Sequence, residues 1–245
     1  IIYNFRSNDI KNGGEGAPLT PIYHKILLKK IKYNLPAGIL NIGGICNFTL
    51  INDYSNDKIY SRDIGPGNCL IDEWIQSNTN DFFDNEGKIS FRGKTNEVLL
   101  ESALESYENI QSNNKYKTYD ISDFNIAFAR GLSIEDGAAT LGEYTSRIIV
   151  SSLNSFLDEY KISNITILVC GGGRKNKYLI DRINSNAYNK FKLTNIDDYK
   201  INGDFIESQA FAFLAIRSYL NLPISFPNTT RCKKVVSGGQ IQKNF

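Results

Sequence analysis

Carboxylates and glycine-rich turns are the groups in this sequence whose types and spacing could do chemistry. Asp63 directly precedes Ile-Gly-Pro-Gly-Asn at 64–68. A rigid turn of this kind fixes a carboxylate while leaving its oxygens exposed, which suits a general base that removes a proton from a poor nucleophile. An aspartate beside a turn can also bond the backbone and only stabilise the turn. The sequence leaves both roles open for Asp63.

Two glycine-rich segments could bind phosphate. Gly43 and Gly44 separate two apolar runs within 37–54, and the triple glycine 171–173 follows an apolar run at 162–170. Without a Cβ, the backbone N–H groups of such turns can approach phosphate oxygens closely. The first segment could equally be a tight hairpin turn without a ligand. The second lacks the GxGxxG pattern of dinucleotide sites, so alone it is weak support for a nucleotide.

Three other titratable residues have both a chemical and a structural interpretation. Glu207 lies near the start of an apolar helical segment, where it would cap the helix or face a polar ligand. Asp72 is more typical of a solvated helix residue. His24 is the only histidine, and its surroundings favour a satisfied core or surface residue. A single histidine argues against a His-based zinc site and a Ser-His-Asp triad, so no metal ligands are predicted.

The pattern of apolar residues predicts which elements position these groups. A β-hairpin is predicted over 37–54 and a buried strand over 162–170, whereas Gly-Pro-Gly predicts a turn over 62–68. The remaining predicted elements are helices at 69–76, 97–110, 135–160, 177–186 and 205–220 and a short strand at 191–195. This order predicts an α/β fold that binds ligands at the carboxyl ends of its strands.

Composition narrows the classes of function. The 245 residues carry 28 basic and 26 acidic side chains, a formal net charge of +2, so neither nucleic acid nor a membrane surface is expected as a partner. No apolar run approaches the roughly 18 residues that a membrane-spanning helix needs. The four cysteines form no CxxC pair and predict free, buried thiols in a cytoplasmic protein.

Six segments of the chain form a joint pattern that is far more specific than any single motif. They are NFRSNDIKNGGEGAPLTPIYH, LNIGGICNFTLI, RDIGPGNCLIDEWI, EDGAATL, VCGGGRKN and GDFIESQAFAFLAIRSYLNLPISFP. In this order, from residue 1 to about residue 240, they resemble the bacterial anhydro-N-acetylmuramic acid kinases.

The resemblance implies a ribonuclease-H-like fold of the actin and hexokinase type, in which two lobes face each other across a cleft. It implies a carbohydrate kinase that uses ATP and Mg²⁺ to convert 1,6-anhydro-N-acetylmuramate into N-acetylmuramate 6-phosphate during peptidoglycan recycling. Water opens the anhydro bridge at C1, and the freed O6 accepts the γ-phosphoryl group. The family pattern implies Asp63 as the general base for that water.

The resemblance also implies binding residues on both sides of the cleft. On the nucleotide side they are Gly43, Gly44, Gly171, Gly172, Gly173 and Asn176. On the sugar side they are Arg6, Asp9, Gly14 and Glu207. The two glycine segments are expected to line one cleft.

The chain also departs from the family pattern. The family's first lobe, with its own phosphate loop, has no counterpart among these residues. Residues 1–220 are therefore expected to form the second lobe, and 221–245 a tail that packs on the first, beside an apolar face around 205–226. The single departures are Asn4 for aspartate, Glu15 for glutamine, Ile121 for arginine and Arg231 for glycine.

Three hypotheses about function follow from the resemblance and the departures. The chain is a kinase completed by a separately encoded lobe and able to form a homodimer, an inactive remnant of that kinase, or an actin-like binding module. The chain alone is expected to be inactive, because half a cleft leaves the phosphates in water, where charge stabilisation is weak.

Overall fold

A central β-sheet positions the candidate residues. The computed structural model describes residues 1–55, 58–111 and 118–242, with only the backbone of residues 110 and 111. Within these ranges the strands are β1 (Ile2–Tyr3), β2 (Ala37–Ile42), β3 (Ile45–Ile51), β4 (Ile59–Pro66), β5 (Ile165–Cys170), β6 (Phe191–Asn195) and β7 (Gln240–Ile241). Strands β2 and β3 form the predicted hairpin, and β5 and β6 are the predicted strands.

The central sheet contains five strands in the order β4-β3-β2-β5-β6. Strand β3 pairs antiparallel with both β2 and β4, whereas β2, β5 and β6 run parallel to one another. A mixed sheet in this order, with its second strand antiparallel to the other four, is the ribonuclease-H-like arrangement. The predicted α/β fold class is therefore confirmed.

Helices cover both faces of the sheet. Among the described residues they are α1 (Ser7–Lys11), α2 (Pro21–Lys30), α3 (Cys69–Asn78), α4 (Glu97–Gln111), α5 (Ile134–Glu159), α6 (Lys177–Asn186), α7 (Ile206–Tyr219) and α8 (Pro227–Thr230). Successive side chains of a strand point to opposite faces. Leu40 and Ile42 accordingly pack in a core with α3, α5 and α6, whereas Ala37 and Ile39 pack in a second core with α2 and α7. None of these helices combines the length and the apolar character of a membrane-spanning segment.

The 26-residue helix α5 confirms the prediction over 135–160. The Ser133 hydroxyl caps it by accepting a hydrogen bond from the Asp136 backbone N–H at 3.1 Å. This bond satisfies one of the backbone N–H groups that have no partner within the first turn of a helix. Gly137 lets α3 approach closely, because a Cβ at this position would overlap the Trp74 ring.

The prediction of a turn over 62–68 was wrong, because β4 continues to Pro66. Proline lacks an N–H to donate and is tolerated on an edge strand, and β4 is an edge strand of the sheet. Gly65, with φ +151°, lies opposite Cys46 at a shift in the register of the β3–β4 pair. Asp63 therefore lies on a strand, and the pleat of the sheet sets the direction of its side chain.

Helix α2 was not predicted from the sequence. Pro21 occupies its first turn, where a missing N–H has no consequence, and the helix buries Ile22 and Leu28. His24 on this helix is 1% exposed, and its Nδ1 lies 2.9 Å from the Thr49 hydroxyl. His24 is therefore a satisfied core histidine, which is the structural interpretation that the sequence favours.

The C-terminal segment packs against the same sheet as the rest of the chain. Ile224 and Phe226 belong to the core formed with α2 and α7, and β7 pairs antiparallel with β1. Docking of residues 221–245 on another lobe stays a prediction.

His24 should make the folded state sensitive to acid. Burial lowers its pKa from 6.5 to about 3, so the unfolded chain binds a proton below pH 6.5 that the folded chain does not. Stability therefore falls as the pH falls through this range. Urea unfolding should show a loss of ~2 kcal/mol from this residue between pH 7 and pH 5. His24→Gln, whose amide can still bond Thr49, should lack this part of the loss, and identical pH dependence in both proteins would contradict the prediction.

Candidate active site

A row of polar side chains crosses the sheet near the carboxyl end of β2. Asn41 on β2 lies opposite Asn47 on β3, and Asn47 lies opposite Asp63 on β4. Residues directly opposite each other on neighbouring strands share one face of the sheet, so the three side chains form a line. In the described part of the chain, the buried Asn47 Oδ1 has no hydrogen-bond partner. An unsatisfied buried acceptor is costly, and its place in this row is suited to a polar ligand.

The polar row forms one wall of a cavity of about 370 Å³, a size typical of small-molecule sites. The structure brings Arg6, Asp63 and Glu207 together in its lining. These residues come from the N-terminal segment, an edge strand and α7, which lie far apart in the sequence. The other walls consist of residues 16–20 and 118–121, together with Ile45 and Phe211.

Asp63 lies half-buried in this cavity. Its Oδ2 accepts a hydrogen bond from the Tyr119 backbone N–H at 3.1 Å, and its Oδ1 has no partner among the described residues. Burial is the main cause that raises the pKa of Asp63 to about 6, and the Glu15 carboxylate raises it further. The Tyr119 N–H, Arg231 and Arg6 act in the opposite direction. A carboxyl with a pKa near the working pH is suited to accept a proton from water.

Glu15 joins two parts of the chain beside this cavity. One of its carboxylate oxygens pairs with Arg231, and the other accepts a hydrogen bond from the Thr118 hydroxyl at 2.7 Å. Arg231 adopts a left-handed backbone conformation with φ 60°, which glycine adopts without strain. Glu15 and Arg231, at both of which the resemblance implies a different residue, are thus neighbours in space.

Asp9 lies behind the cavity wall rather than in it. The side chain is fully buried, and it accepts hydrogen bonds from the Gly16 backbone N–H at 2.7 Å and the Thr230 hydroxyl at 2.6 Å. A Cβ on Gly14 would overlap this carboxylate. Asp9 and Gly14 therefore shape the loop that carries residues 16–20, and a direct contact of either with a sugar stays a prediction.

The two glycine turns lie at neighbouring strand ends. Gly43 and Gly44 follow β2, and the turn 171–173 follows β5, its parallel neighbour. Asn68 lies between them: its backbone N–H donates to the Gly43 carbonyl at 2.8 Å, and its Nδ2 lies 3.1 Å from the position that a Cβ on Gly173 would occupy. The two glycine turns therefore lie side by side at the carboxyl ends of β2 and β5, and their binding of a nucleotide stays a prediction.

Packing explains some of these glycines but not all of them. Gly171 has φ +79°, and a Cβ there would lie 2.5 Å from the Asn41 Oδ1. By contrast, the nearest atom to a Cβ on Gly172 would be 3.9 Å away, and on Gly43 3.4 Å away. The fold thus requires glycine at 171, whereas a Cβ on Gly172 or Gly43 would make only ordinary van der Waals contacts.

A second cavity, of about 410 Å³, opens beside Gly172. Asn68, Asp72 and Phe83 line it. Burial, followed by the Asp84 carboxylate, raises the pKa of Asp72 to about 6. Asp72 thus has a titration range similar to that of Asp63 but belongs to a different cavity.

Asn176 also borders the second cavity, but its side chain has a local partner. The Oδ1 accepts a hydrogen bond from the Leu179 backbone N–H at 3.1 Å and caps α6. The Nδ2 group of Asn176 would remain for a ligand, so a nucleotide contact by this residue stays a prediction.

None of the four cysteines lines either cavity. No group of three His, Cys, Asp or Glu side chains that could hold a metal ion occurs among residues 1–55, 58–111 and 118–242. Cys46, Cys69, Cys170 and Cys232 are free and buried, which confirms the prediction for the thiols.

Comparison with known proteins identifies the family. The family model of anhydro-N-acetylmuramic acid kinase matches residues 1–244. The chain belongs to this family. The anhydro-N-acetylmuramic acid kinase of Pelagibacter ubique is 49% identical over 245 residues, which are 100% of this chain and 65% of the relative. The kinases of the same name from Zymomonas mobilis and Methylorubrum extorquens are 38% and 37% identical, over 98% and 99% of this chain and 63% and 62% of the relatives.

The chain thus spans somewhat less than two thirds of the length of these curated relatives. Among solved structures, the activator of the 2-hydroxyisocaproyl-CoA dehydratase from Clostridium difficile with bound ADPNP aligns with a TM-score of 0.46 and 12% identity, over 80% of this chain and 65% of that chain.

Asn41 and Asn47 line the cavity although no motif in the sequence points to them. Both are polar positions inside otherwise apolar strands, and this interruption was the available signal. In the wall at 118–121 the sequence singled out only Ile121, as the position where the resemblance implies an arginine, and Ile121 lines the cavity. Nothing in that segment indicates that the Tyr119 backbone reaches Asp63.

The charges around Asp63 should control its titration. Glu15→Gln should lower the pKa of Asp63 from about 6, because the Glu15 carboxylate raises it, and Arg6→Gln should raise it, because Arg6 lowers it. A ¹³C NMR titration of the carboxyl groups, with Asp63 assigned by its absence in Asp63→Asn, measures both changes. Asp72 serves as the internal control and should titrate unchanged. Shifts of the same sign in the two variants would refute this account of the electrostatics.

Proposed function

We propose that this chain forms the sugar-activating lobe of an anhydro-N-acetylmuramic acid kinase of peptidoglycan recycling. The reaction is the ATP-dependent hydrolytic opening and 6-phosphorylation of 1,6-anhydro-N-acetylmuramate to N-acetylmuramate 6-phosphate. The observation that carries the proposal is the half-buried Asp63, which lines a polar cavity together with Arg6 and Glu207 and accepts the Tyr119 backbone N–H through Oδ2. Membership of the family supplies the identity of the reaction.

The proposed mechanism begins with a water molecule bound to Asp63. The Tyr119 N–H holds Oδ2, so Oδ1 is the atom that accepts the water proton. The oxygen of that water bonds to C1 of the sugar, the C1–O bond of the anhydro bridge breaks, and its electron pair remains on O6. O6 then attacks the γ-phosphorus of ATP, and ADP leaves. Because a carboxylate with a pKa of about 6 is mostly ionised at neutral pH, Asp63 is ready to act as base.

The charges in the first cavity suit the proposed sugar. Arg6 is exposed at its edge and would pair with the carboxylate of the muramate. Glu207 would accept hydrogen bonds from sugar hydroxyls, and its Oε1 lies 3.5 Å from the Asn41 Nδ2. The Oδ1 of Asn47, which has no partner among the residues that the structure describes, would accept a further bond from the sugar.

The phosphates of ATP would bind at the carboxyl ends of β2 and β5, where the two glycine turns lie side by side. Gly172 has no side chain and no protein atom closer than 3.9 Å to its Cβ position, so a phosphate oxygen would approach the backbone there. At Gly43 a phosphate would share or replace the hydrogen bond that its N–H donates to the Ile45 carbonyl at 3.3 Å. Mg²⁺ bound to these phosphates would neutralise the charge that develops during phosphoryl transfer. The second cavity, beside Gly172, has room for the rest of the nucleotide.

The proposal includes a partner lobe and a cytoplasmic location. Exposed apolar side chains follow α7 and its C-terminal end, and they are Phe205, Phe211, Ile216, Tyr219, Leu220 and Leu222. Several exposed large apolar side chains within one segment are typical of a protein interface. It supports docking of a first lobe on the 205–226 face, with residues 221–245 contributing, and four buried free thiols favour a reducing compartment. A homodimer stays part of the proposal.

Turnover distinguishes the kinase from the inactive remnant. ADP release would be measured with Mg²⁺·ATP and 1,6-anhydro-N-acetylmuramate, using the chain alone and the chain supplied with the part of the Pelagibacter ubique relative that it does not match. We expect turnover only in the second case. Binding of both ligands without turnover in either case would favour the remnant, and absence of all ligand binding would favour the binding module.

Asp63→Asn should abolish most of this turnover. The amide keeps the shape of the side chain but cannot accept the proton, so kcat should fall on the order of 100-fold or more, while Mg²⁺·ADP affinity stays within about twofold. Asp72→Asn makes the same chemical change in the other cavity. Retained turnover in Asp63→Asn with loss in Asp72→Asn would move the base to Asp72. Loss of folding in Asp63→Asn, seen by circular dichroism, would favour a structural role.

Gly172→Ala should weaken nucleotide binding without affecting folding. The added methyl group meets no protein atom closer than 3.9 Å, but it would occupy the space that a phosphate needs. Calorimetry should show Mg²⁺·ADP affinity lower by roughly tenfold, and urea unfolding should show a change within about 0.5 kcal/mol. Gly131→Ala is the control. No atom lies within 4 Å of the position of its added Cβ, but its φ of +89° is strained for alanine. This variant should therefore lose stability and bind Mg²⁺·ADP normally. Unchanged affinity in Gly172→Ala would refute the phosphate role of this turn.

A further inference from the structure

Arg174, directly after the glycine turn 171–173, is a buried cation that joins three segments. Its side chain is 3% exposed. The Nε donates to the Asp197 Oδ2 at 2.9 Å, and Nη1 donates to the Asp204 Oδ1 at 2.8 Å and to the Gly171 carbonyl at 3.0 Å. A buried charge is costly unless it is paired and hydrogen-bonded, and here three acceptors in different directions satisfy it.

The segment that precedes α7 is shaped around this guanidinium. A Cβ on Gly203 would overlap Arg174 Nε, so only glycine fits there. The Gly203 backbone N–H donates to the Asp197 Oδ1 at 2.7 Å, which ties Asp197 and Gly203 to each other as well as to Arg174. Asp204 follows directly, two residues before α7 begins at Ile206. The position of the first turn of α7 therefore depends on Arg174.

The same contacts close a ring around the site. Gly171 packs against the Asn41 side chain, which lies 2.5 Å from the position of a Cβ on Gly171. The Asn41 Nδ2 in turn lies 3.5 Å from the Oε1 of Glu207, in the first turn of α7. Arg174 completes the ring, because it joins the glycine turn at Gly171 to the segment before α7 at Asp204.

We propose that Arg174 is a positioning residue that holds the glycine turn and the first turn of α7 in one fixed arrangement, so that the nucleotide-side backbone and Glu207 are set relative to each other. This inference rests on the proposed function, in which the turn binds phosphate and Glu207 binds sugar. The planar guanidinium can serve three acceptors in fixed directions, whereas a lysine ammonium is a single mobile point of charge. Arginine at 174 is therefore specific to this role.

The test compares Arg174→Gln and Arg174→Lys with a matched control, Arg182→Gln. Arg182 donates to the buried Glu143 at 2.5 Å, so its loss also breaks an arginine–carboxylate pair, but it touches neither the glycine turn nor α7. Backbone amide exchange would be measured over residues 171–176 and 204–210 in the absence of ligand. Calorimetry with Mg²⁺·ADP would measure nucleotide affinity of the same proteins.

We expect Arg174→Gln to speed amide exchange in both segments by at least tenfold and to weaken Mg²⁺·ADP binding by at least tenfold. Arg174→Lys should fall between Arg174→Gln and the unchanged chain, and it keeps the test decisive where Arg174→Gln fails to fold. Arg182→Gln should leave both readouts unchanged, although it lowers stability.

Three results would overturn the proposal. Faster exchange in only one of the two segments would mean that Arg174 does not link them. Faster exchange with unchanged Mg²⁺·ADP affinity would mean that it only stabilises the fold. Equal changes in amide exchange and in Mg²⁺·ADP affinity for Arg174→Gln and Arg182→Gln would mean that the loss of any buried ion pair produces them. Failure of the unchanged chain to bind Mg²⁺·ADP would instead count against the proposed function.

Discussion

The parallel pairing of β2 with β5 is the interaction on which the candidate site depends. Asn41 lies opposite Cys170 in this pair, so the glycine turns that follow the two strands lie side by side at the carboxyl end of the sheet. Parallel neighbours require a long crossover connection, and here the crossover contains β3, β4 and α3 to α5. Strand β4, which carries Asp63, belongs to this crossover. Its pairing with β3 places Asp63 opposite Asn47, near the end of the sheet where the turns lie.

Polar groups in the sheet are unfavourable for folding and suited to chemistry. Asn41, Asn47 and Asp63 occupy a line in which apolar side chains would pack better, and the Asn47 Oδ1 finds no partner in the described part of the chain. Burial also raises the pKa of Asp63 to about 6, so ionisation of this group costs more than it would in water. Local conflicts of this kind are expected where function, rather than stability, selects the residues.

The buried side chains of Asp9 and Arg174 anchor the irregular segments around the site, and both lie outside the cavities. Asp9 binds the Gly16 N–H and the Thr230 hydroxyl, and Arg174 binds the Gly171 carbonyl together with Asp197 and Asp204. Loops lack the hydrogen-bond ladder of a strand or helix, so side chains must satisfy their backbone groups. Because both anchors lie outside the cavities, the surfaces that would meet ligands remain free.

The sequence by itself determined the elements whose signals are local. The periodicity of 135–160, the apolar run at 162–170 and the glycine turns predicted α5, β5 and the strand ends, and the joint pattern of segments indicated the family. Tertiary structure decided the rest. It extended β4 through the predicted turn at 62–68, because an edge strand tolerates proline. It also brought Tyr119 to Asp63 and Thr118 to Glu15, and it placed Asp9 behind the cavity while leaving Arg6 in the lining. These outcomes depend on which strands pair and which loops pack together, and contacts between residues far apart in the chain leave no periodic signal in the sequence.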